Sequence, residues 1–245
     1  MMSFRDMNRK SHRPALFLLL LLIPSLAFAG RPTWARKASG FSGDCKSGCH
    51  PVRVVAPDKK TAVEVLYQDD GTPYLRVTGA GKQARDVHDL GVGPWNDLEW
   101  APDSKAFFVT AGDAMTSSAF VQVYLLDDAE LRPVDVTRDA EADMLNSFPP
   151  CKALYLDTAT CRKMEKNPGY NVIAIDWAED SSALALMVQV PCTSEYGGIM
   201  CQVMGYEVDV PSGKIVQRIP AADFRKEWQK SMAQRLELPE PPQYQ

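Results

Sequence analysis

Three stretches of the chain repeat one pattern of apolar and polar positions. Each has a short apolar strand, a turn that contains Pro-Asp or Glu-Asp, and a second apolar strand. The stretches are VVAPDKKTAVEV at 54–65, LEWAPDSKAFFV at 98–109 and IDWAEDSSALAL at 175–186. Proline presets the first turn position, and an Asp side chain can accept hydrogen bonds from the backbone amides that follow it. The pattern therefore predicts the same β-hairpin three times.

A second pair of apolar strands follows each predicted hairpin. The pairs lie at 74–77 and 85–90, at 120–126 and 131–136, and at 203–210 and 215–219. The last pair is joined by Pro211-Ser212-Gly213-Lys214, which is a favourable hairpin turn. Each unit thus carries about four strands, the content of one propeller blade.

The spacing of the turns supports a repeat with one insertion. Asp58 and Asp103 are 45 residues apart, within the period of about 40–45 residues typical of propeller blades. Asp103 and Asp180 are 77 residues apart, an excess of 32. We assign the excess to an insertion at 139–170, which opens with a predicted helix at 139–146.

The motifs LEWAPDSKAFFVT and IDWAEDSSALALM resemble the repeats of TolB-like, WD-type β-propellers of exported bacterial proteins. The family pattern is hydrophobic-x-Trp-x-Pro-Asp-Ser/Gly followed by an apolar strand. The second unit matches it, the third has Glu179 in place of proline, and the first lacks the tryptophan. The resemblance covers about residues 52–219 and implies an all-β fold of antiparallel, four-stranded, propeller-like blades that serves as a binding platform. In that fold, Trp95, Trp100 and Trp177 are expected in blade cores.

The number of repeats does not determine whether the sheets close into a ring. Propellers close with about 4–8 blades, whereas three units are found in the sequence. We expect an open arc of three sheets, a closed form with a degenerate blade, or a piece that needs a partner to cover its edge strands.

The C-terminal region, residues 220–238, predicts a helix. Its apolar positions recur every four residues and form one stripe, with Asp223 as a plausible cap. The stripe comprises Phe224, Trp228, Met232 and Leu236. We expect the helix to lie across a sheet and cover an edge or the bottom of the arc, and the alternative is a docking helix for a partner. Residues 239–245 predict a disordered tail.

The first 29 residues have the layout of a secretory signal peptide. A basic segment precedes an apolar run at 15–23, and Ala27-Phe28-Ala29 supplies a small-x-small cleavage signal. The alternative, a membrane anchor, needs an apolar run of about 20 residues. The mature chain would begin with an N-terminal segment, residues 30–51, and would be periplasmic or secreted.

Charge and cysteine content agree with an exported chain. Loss of residues 1–29, which hold four Lys or Arg and one Asp, changes the formal net charge from −4 to −7. This sign argues against nucleic acid and anionic membrane surfaces as partners. The even count of six cysteines predicts disulfides. Because the cysteines form three close couples, we predict the pairs Cys45–Cys49, Cys151–Cys161 and Cys192–Cys201.

The first couple permits a second interpretation. Cys45-Lys46-Ser47-Gly48-Cys49-His50 resembles a haem c attachment site, although the usual spacing between the cysteines is two residues and here it is three. A strand-rich repeat follows His50, whereas cytochromes c are helical. We therefore predict a disulfide and no cofactor, with haem c, or a zinc or copper clip, as alternatives.

Other candidate sites have simpler explanations. Asp86 and His88 alternate onto one strand face, which permits a metal pair or a general base, but a surface histidine is the simpler interpretation. Gly79-Ala80-Gly81-Lys82 joins two strands and is read as a turn, since a phosphate loop joins a strand to a helix. Asp69-Asp70-Gly71 and Asp127-Asp128 could bind calcium, but a hairpin turn is the simpler interpretation. No catalytic residues are predicted.

The two later cysteine couples suggest where binding occurs. A disulfide at the base of the loop 193–200 would present Tyr196 and Met200, with Glu195, on a rigid finger. The Cys151–Cys161 loop would form a second finger, and the alternative is that both are bridged only because they are long and exported. We predict a non-catalytic binding or scaffold protein of the cell envelope whose partner is another envelope or secreted protein. Alternatives are an inhibitor or immunity protein against a secreted toxin, a mono-haem electron carrier, and a hydrolase with a site near Asp86 and His88.

Overall fold

The computed structural model describes residues 34–35, 40–44, 52–70, 72–79, 83–88, 95–112, 119–127, 131–166, 168–192 and 194–233. The predicted signal peptide, the Cys45–Cys49 pair with His50, and the tail at 239–245 lie outside these residues. The described part is mostly β, with three antiparallel sheets and a C-terminal helix.

The strands and helices follow one another in the order that the sequence pattern predicts, with two additions. The strands are β1 (Gly40–Asp44), β2 (Val52–Val55), β3 (Ala62–Tyr67), β4 (Pro73–Thr78), β5 (Arg85–Val87), β6 (Trp95–Trp100), β7 (Ala106–Gly112), β8 (Phe120–Leu126), β9 (Leu131–Val134), β10 (Asn171–Trp177), β11 (Ala183–Gln189), β12 (Val203–Asp209) and β13 (Lys214–Ile219). The helices are α1 (Arg138–Asn146), α2 (Thr158–Lys166) and α3 (Ala221–Ala233), and short 3₁₀ turns lie at Cys151–Leu154 and Gly197–Ile199. Strand β1 and helix α2 are the elements that the sequence pattern did not predict.

Each predicted unit of four strands forms one sheet with its strands in chain order. The first sheet has the order β2-β3-β4-β5 and the third has the order β10-β11-β12-β13. The second sheet has the order β1-β6-β7-β8-β9, so that β1 adds to the edge of the unit β6 to β9. The three four-stranded units predicted from the sequence are therefore confirmed.

The three repeated turns have the same hydrogen bonds. The residue after each turn aspartate has a left-handed backbone, with φ of 60° at Lys59, 64° at Ser104 and 63° at Ser181. Each aspartate Oδ1 accepts a hydrogen bond from the amide two residues ahead, at 2.8 Å for Asp58, 2.9 Å for Asp103 and 3.0 Å for Asp180. The turn chemistry predicted from the Pro-Asp and Glu-Asp pairs is confirmed.

The sheets pack face to face through their apolar positions. Because side chains alternate along a strand, neighbouring residues of β7 face opposite sheets, with Phe107 towards the first sheet and Phe108 towards the third. The core between the first two sheets includes Val63, Leu75, Leu98, Trp100, Val109 and Tyr124. The core between the second and third sheets includes Val121, Val123, Val172, Trp177, Leu184, Leu186 and Tyr206.

Equivalent polar contacts join each sheet to the next. Trp100 Nε1 donates a hydrogen bond to Val54 O at 3.1 Å, and Trp177 Nε1 donates to Glu99 O at 3.3 Å. The expectation that both tryptophans lie in the sheet cores is confirmed, since both are buried. The side chain of Trp95 lies outside what the structure describes.

The serines of the turns repeat in the same way. Ser104 Oγ accepts a hydrogen bond from the Asp58 amide at 2.9 Å, and Ser181 Oγ accepts one from the Asp103 amide at 3.0 Å. Each sheet after the first therefore contacts its predecessor through the same two positions of the repeat, the tryptophan and the turn serine.

The first sheet departs from the repeat at both of these positions. Val55 stands at the tryptophan position and is 43 % exposed, and the exposed Lys59 stands at the serine position. The same face carries ion pairs across neighbouring strands, between Arg53 and Glu64 and between Arg76 and Asp86. This face is charged because it does not pack on a preceding sheet as the second and third sheets do.

The N-terminal segment contributes main-chain pairing that the sequence did not predict. Strand β1 pairs antiparallel with β6, from Gly40 opposite Glu99 to Asp44 opposite Trp95. Before it, Ala35 N donates to Trp177 O at 2.9 Å. The sequence of β1, GFSGD, has few of the residues that favour strands, so pairing with β6, not local preference, determines its conformation.

Helix α3 covers the free face of the third sheet. Phe224 and Trp228 are buried against residues such as Ile175, Ala185 and Met187. A Cβ atom at Gly205 would lie 2.1 Å from Phe224 Cδ2, so the glycine permits this close packing. The predicted helix is confirmed and lies across a sheet as expected, but it covers the face of that sheet, where an edge or the bottom of the arc was expected. Residues 234–238 and the side chain of Met232 lie outside the described part.

The cap predicted for α3 is wrong. The helix begins at Ala221, and Asp223 lies inside its first turn. Phe224 N donates to Pro220 O at 2.9 Å, which places the start of the helix beside the proline. Pro220 therefore occupies the position directly before the helix, and its carbonyl accepts the first hydrogen bond of the helix.

The insertion between β9 and β10 contains two helices. The predicted helix at 139–146 is confirmed as α1, and Asp143 of α1 accepts hydrogen bonds from Tyr206 Oη at 2.9 Å and Arg218 Nε at 2.8 Å. Lys214 Nζ lies 2.9 Å from Asp139 Oδ2. These contacts hold α1 on the third sheet. No helix in the described ranges has both the length and the hydropathy required to cross a bilayer.

Candidate binding surface

The two later cysteine couples form disulfides as predicted. The Cα atoms are 5.7 Å apart in Cys151–Cys161 and 4.4 Å apart in Cys192–Cys201. The sequence separations are 10 and 9 residues, so both bridges close short local loops. The predicted Cys45–Cys49 pair lies outside the described residues.

The two bridged loops pack against each other and form one structural unit. We call residues 151–166 and 194–201 the disulfide lobe. A Cβ atom at Gly197 would lie 3.5 Å from Leu156 Cδ2 and 3.7 Å from Leu154 O, so the two loops are in close contact there. Lys163 Nζ and Glu195 Oε1 form an ion pair at 2.6 Å across the same boundary. Each loop therefore supports the conformation of the other.

The inner side of the lobe is part of the main core. Tyr196 is only 2 % exposed, and Ile199 and Met164 are also buried in the cluster between the second and third sheets. The expectation that the loop presents Tyr196 to a partner is therefore wrong. Burying the apolar body of an aromatic ring is strongly favourable, which accounts for the inward position of Tyr196.

The other two residues of the predicted finger differ in exposure. Glu195 is exposed and is paired with Lys163, whereas Met200 is half-buried. Burial and the Glu195 carboxylate raise the pKa of Tyr196, although the Lys163 charge acts in the opposite direction. Glu195 and Met200 remain predicted contact residues.

The outer side of the lobe carries one fully exposed aromatic residue, which the sequence analysis missed. Tyr155 is 96 % exposed. Its backbone is left-handed, with φ of 56° and ψ of 27°, a conformation that costs a non-glycine residue about 1–3 kcal/mol. Large hydrophobic residues at such exposure are few in the described chain, where Val216 at 58 % and Val55 at 43 % come next.

A signal for Tyr155 exists in the sequence. Leu154-Tyr155-Leu156 is an apolar run between two bridged cysteines. The two leucines pack against the core between the second and third sheets. A side chain between two leucines that both pack inwards points outwards. The Leu-Tyr-Leu pattern could therefore have indicated that Tyr155 is exposed.

The exposed surface of the lobe carries charges of both signs. Asp157 caps α2 by accepting hydrogen bonds from Ala159 N at 2.8 Å and Thr160 N at 3.0 Å. The Thr160 hydroxyl and these amides lower the pKa of Asp157. The hydrogen bond and the charge of Glu195 raise the pKa of Lys163. The exposed charged residues of the lobe are Lys152, Asp157, Arg162, Lys163, Glu165, Lys166 and Glu195.

The pair Asp86 and His88 does not form a base held by a carboxylate. Both Asp86 oxygens accept hydrogen bonds from Arg76, at 2.7 Å and 2.8 Å, and this contact lowers the pKa of Asp86. The His88 ring stacks on Tyr74 with a centroid distance of 5.2 Å. The two residues share a face as expected, but the carboxylate is occupied by Arg76.

The remaining candidates are turns or lie outside the described residues. Asp70 Oδ1 accepts a hydrogen bond from Thr72 N at 2.8 Å, as expected of a hairpin turn. Gly71, residues 80–82 and Asp128 are not described, nor are Cys45, Cys49 and His50 of the haem alternative. Within the described ranges, no group of three or more His, Cys, Asp or Glu side chains is placed to hold a metal ion.

We compared the chain with protein-family models, with curated proteins and with solved structures. None of the three comparisons gives a match. A proposal about function therefore depends on the contacts within this chain.

Proposed function

We propose that this chain is a non-catalytic binding protein that contacts a protein partner through the outer side of the disulfide lobe. The observation that carries the proposal is Tyr155, which is 96 % exposed in a left-handed conformation between two bridged cysteines. A strained backbone and an exposed aromatic ring both oppose stability in the free protein. A role in contact with a partner accounts for both.

The chemistry of Tyr155 suits a protein interface. Tyrosine is enriched at interfaces because its ring offers a large contact area and its hydroxyl retains a hydrogen bond. Few rotamers are lost when it binds, and the neighbouring disulfide already fixes the backbone. The mixed charges on the exposed surface of the lobe resemble the polar rim of an interface, with Lys163 and Glu195 already paired.

We place this function outside the cytoplasm. Two disulfides in the described residues support an oxidising compartment. The basic and apolar pattern of residues 1–29 supports export by a signal peptide. The partner is accordingly another envelope or secreted protein.

We further propose that the three sheets are an open, propeller-like array related to the TolB-like repeats. Support comes from the tryptophan and serine contacts that recur between successive sheets. The first sheet has Val55 and Lys59 at these positions, which suits the first member of an open array. Such an array is a rigid scaffold from which the disulfide lobe projects.

Site-specific photo-crosslinking in the producing cell tests the binding role. A photoreactive phenylalanine replaces Tyr155, and in a matched control it replaces Val216, which is 58 % exposed on β13 of the third sheet. We expect one discrete protein adduct from position 155 that is absent from position 216. Identical adducts from both positions, or none from position 155, would contradict the proposal.

A competition experiment separates binding from folding. Excess purified native protein should suppress the adduct at position 155, whereas the Tyr155→Gly protein should not. Glycine adopts positive φ freely, so this variant should unfold at the same or a higher urea concentration than the native protein. Suppression by the glycine variant would show that the ring is not part of the contact.

A further inference from the structure

Four charged residues form a ladder of alternating sign across the outer face of the first sheet. Arg53 of β2 lies directly opposite Glu64 of β3. Glu64 in turn lies opposite Arg76 of β4, and Arg76 lies opposite Asp86 of β5. The row therefore crosses all four strands in the order positive, negative, positive, negative. The neighbouring strand residues face the second sheet instead and include Val54, Val63, Val65, Leu75 and Val77.

The ladder is ordered within one chain and is still accessible. Arg53 is paired with Glu64, and both Asp86 oxygens accept hydrogen bonds from Arg76. Asp86, and to a smaller extent Glu64, raise the pKa of Arg76. The four side chains retain between 24 % and 57 % of their surface. Because a carboxylate accepts several hydrogen bonds and a guanidinium donates five, each member of the ladder can take a second partner.

An alternating row of four charges is complementary to its own reverse. Most homodimers have a two-fold axis, which brings the same surface of both copies together. An axis that runs along the strands, between β3 and β4, reverses the row. Arg53 then faces Asp86 of the second copy, and Glu64 faces Arg76 of the second copy. An axis along the row would bring like charges together, so only the first arrangement matches the signs.

We propose that the outer face of the first sheet is a self-association surface, on which a second copy of this chain docks about a two-fold axis between β3 and β4. A row without net charge does not select an acidic or a basic partner, but its alternation selects its own reverse. Sheets that pack face to face keep their strand directions within about 30° of each other, and an axis along the strands gives this alignment.

The row beside the ladder suits the same arrangement. Leu66 lies opposite Tyr74 in the central strand pair, and both residues are half-buried. Reversal about the same axis places Leu66 of one copy against Tyr74 of the second, so that two apolar contacts flank the charges. The Tyr74 ring is already held in place, because it stacks on His88 at a centroid distance of 5.2 Å and lies 5.7 Å from the Arg76 guanidinium.

The size of the face sets the strength of this association. Four short strands cover a projected area of about 300 Å², whereas a standard interface buries about 800 Å² on each partner. We therefore expect a reversible dimer that forms at micromolar or higher concentration and leaves the face solvated in the monomer. Contacts between exposed charges are screened by salt, so the dimer should weaken as the ionic strength rises.

This proposal does not depend on the role of Tyr155, because no residue of the disulfide lobe lies in the first sheet. Failure of self-association would leave the crosslinking result at position 155 unchanged, and the reverse also holds.

Sedimentation equilibrium of the purified exported chain, with its disulfides intact, tests self-association. Protein concentrations from about 10 µM to about 500 µM are compared at about 50 mM and about 500 mM NaCl. We expect a monomer–dimer equilibrium whose dissociation constant is at least about fivefold higher at the higher salt concentration. A monomer at every concentration, or a dimer that salt does not weaken, would overturn the proposal.

Two complementary variants test the ladder itself. Arg53→Glu with Arg76→Glu makes the row wholly acidic, and Glu64→Lys with Asp86→Lys makes it wholly basic. Each variant should associate at least about tenfold more weakly than the native chain, because like charges then face each other across the axis. An equimolar mixture of the two should form a heterodimer. A mixture that stays monomeric, with both variants folded by circular dichroism, would overturn the proposal.

Exchange of all four signs keeps the alternation. The variant Arg53→Glu, Glu64→Arg, Arg76→Glu and Asp86→Arg retains opposite charges within the chain and across the axis. Its dissociation constant should lie within about threefold of the native value, since the reversed row is again complementary to itself. If this variant is folded and remains monomeric, the alternation of the ladder does not determine docking.

A charge-matched control separates the ladder from net charge. Lys152→Glu with Lys166→Glu makes the same change of net charge as the acidic ladder, but on the exposed surface of the lobe. This control should dimerise like the native chain. Equal loss of association in the control and in the acidic ladder would mean that net charge alone governs association, which would overturn the assignment to the first sheet.

Photo-crosslinking in the producing cell identifies the occupant of the face. A photoreactive phenylalanine at position 74 should give an adduct with the mass of two copies of this chain. An adduct with a different protein in its place would assign the face to another partner and would overturn the proposal.

Discussion

At the scale of single residues, the turns show how a few side chains fix the repeat. Lys59, Ser104 and Ser181 adopt positive φ without being glycine. The preceding aspartates offset this cost by accepting amide hydrogen bonds from the residues that follow. The two serines also bond to the preceding sheet. One tripeptide thus forms the turn and, in the second and third units, a contact between sheets.

Two glycines provide a matched prediction at this scale. Gly213 has φ of +69°, and a Cβ atom there would lie 2.2 Å from Asp135 O. We expect Gly213→Ala to lower the free energy of unfolding by more than about 1 kcal/mol, because both the backbone and the contact oppose a side chain. Urea unfolding measures the change.

Gly198→Ala is the control for Gly213→Ala. A Cβ atom at Gly198 meets nothing within 4 Å, and its φ is not in the left-handed region. This variant should be neutral or more stable by up to about 1 kcal/mol, because alanine restricts the unfolded chain. Equal changes in the two variants would mean that the positive φ and the close contact at Gly213 do not determine the effect of the substitution.

At the scale of elements, the sheets are joined by apolar packing and by a small set of repeated polar contacts. The tryptophan of each later sheet fills the core and donates its Nε1–H to a carbonyl of the sheet before it. The donor satisfies a polar group of the ring that would otherwise be buried without a partner. Apolar packing holds the sheets together, and the hydrogen bond defines their relative position.

Trp177→Phe tests this contact. The variant loses the Nε1–H that donates to Glu99 O at 3.3 Å and leaves space in a fully buried site. We expect the free energy of unfolding to fall by at least about 1–3 kcal/mol. The matched control is Val55→Thr, at the equivalent position of the first sheet, which is exposed and keeps its β-branched shape.

The control should change the free energy of unfolding by no more than about 0.5 kcal/mol, as expected of an exposed surface position. If Trp177→Phe is as mild as Val55→Thr, the tryptophan contact does not hold the second and third sheets together. The comparison uses the same chain and the same denaturant, and it sets a buried contact position of the repeat against the equivalent exposed position.

At the scale of the whole molecule, the outer faces of the first and third sheets differ in chemistry. The free face of the first sheet carries the pairs Arg53–Glu64 and Arg76–Asp86. The free face of the third sheet is apolar and is covered by α3. A charged face remains solvated, whereas an apolar face requires a cover. The outer face of the first sheet is therefore charged and exposed, whereas that of the third sheet is covered by a helix.

The charges of the molecule predict its response to acid. Hydrogen bonds from Arg76 lower the pKa of Asp86, and those from the Ser182 hydroxyl and amide lower the pKa of Asp180. A carboxyl with a lowered pKa stabilises the folded state above the unfolded-state pKa of about 4, and this stabilisation is lost as the pH falls through the lowered value. We expect the free energy of unfolding to decrease from pH 5 to about pH 3.

Glu141 supplies a control of opposite sign. Burial, together with the charge of Asp135, raises the pKa of Glu141, so its ionisation destabilises the folded state as the pH rises above its ordinary pKa of about 4.3. Glu141→Gln should therefore be more stable than the native protein at pH 7, with a smaller difference at pH 3. Urea titrations at several pH values measure both effects, and a native stability that is equal at pH 3 and pH 7 would contradict the assignment of the aspartates.

The sequence by itself determined the local features. The turn tripeptides, the alternation of apolar positions, the helix at α1 and the pairing of nearby cysteines all depend on residues close together in the chain. Such features follow from backbone preference and short-range hydrogen bonds, which neighbouring residues specify. The repeated strands and the disulfides Cys151–Cys161 and Cys192–Cys201 were therefore predictable.

The tertiary structure decided everything that depends on distant residues. Strand β1 forms because the edge of β6 offers main-chain partners, and its own sequence carries little preference for a strand. Tyr196 is buried and Tyr155 is exposed because the two loops pack on each other over the core between the sheets. Lys60 and Arg85 of the first sheet line one cavity with Lys105 of the second because these two sheets pack face to face. Burial and charge proximity are properties of the assembled sheets, since residues far apart in the sequence create them.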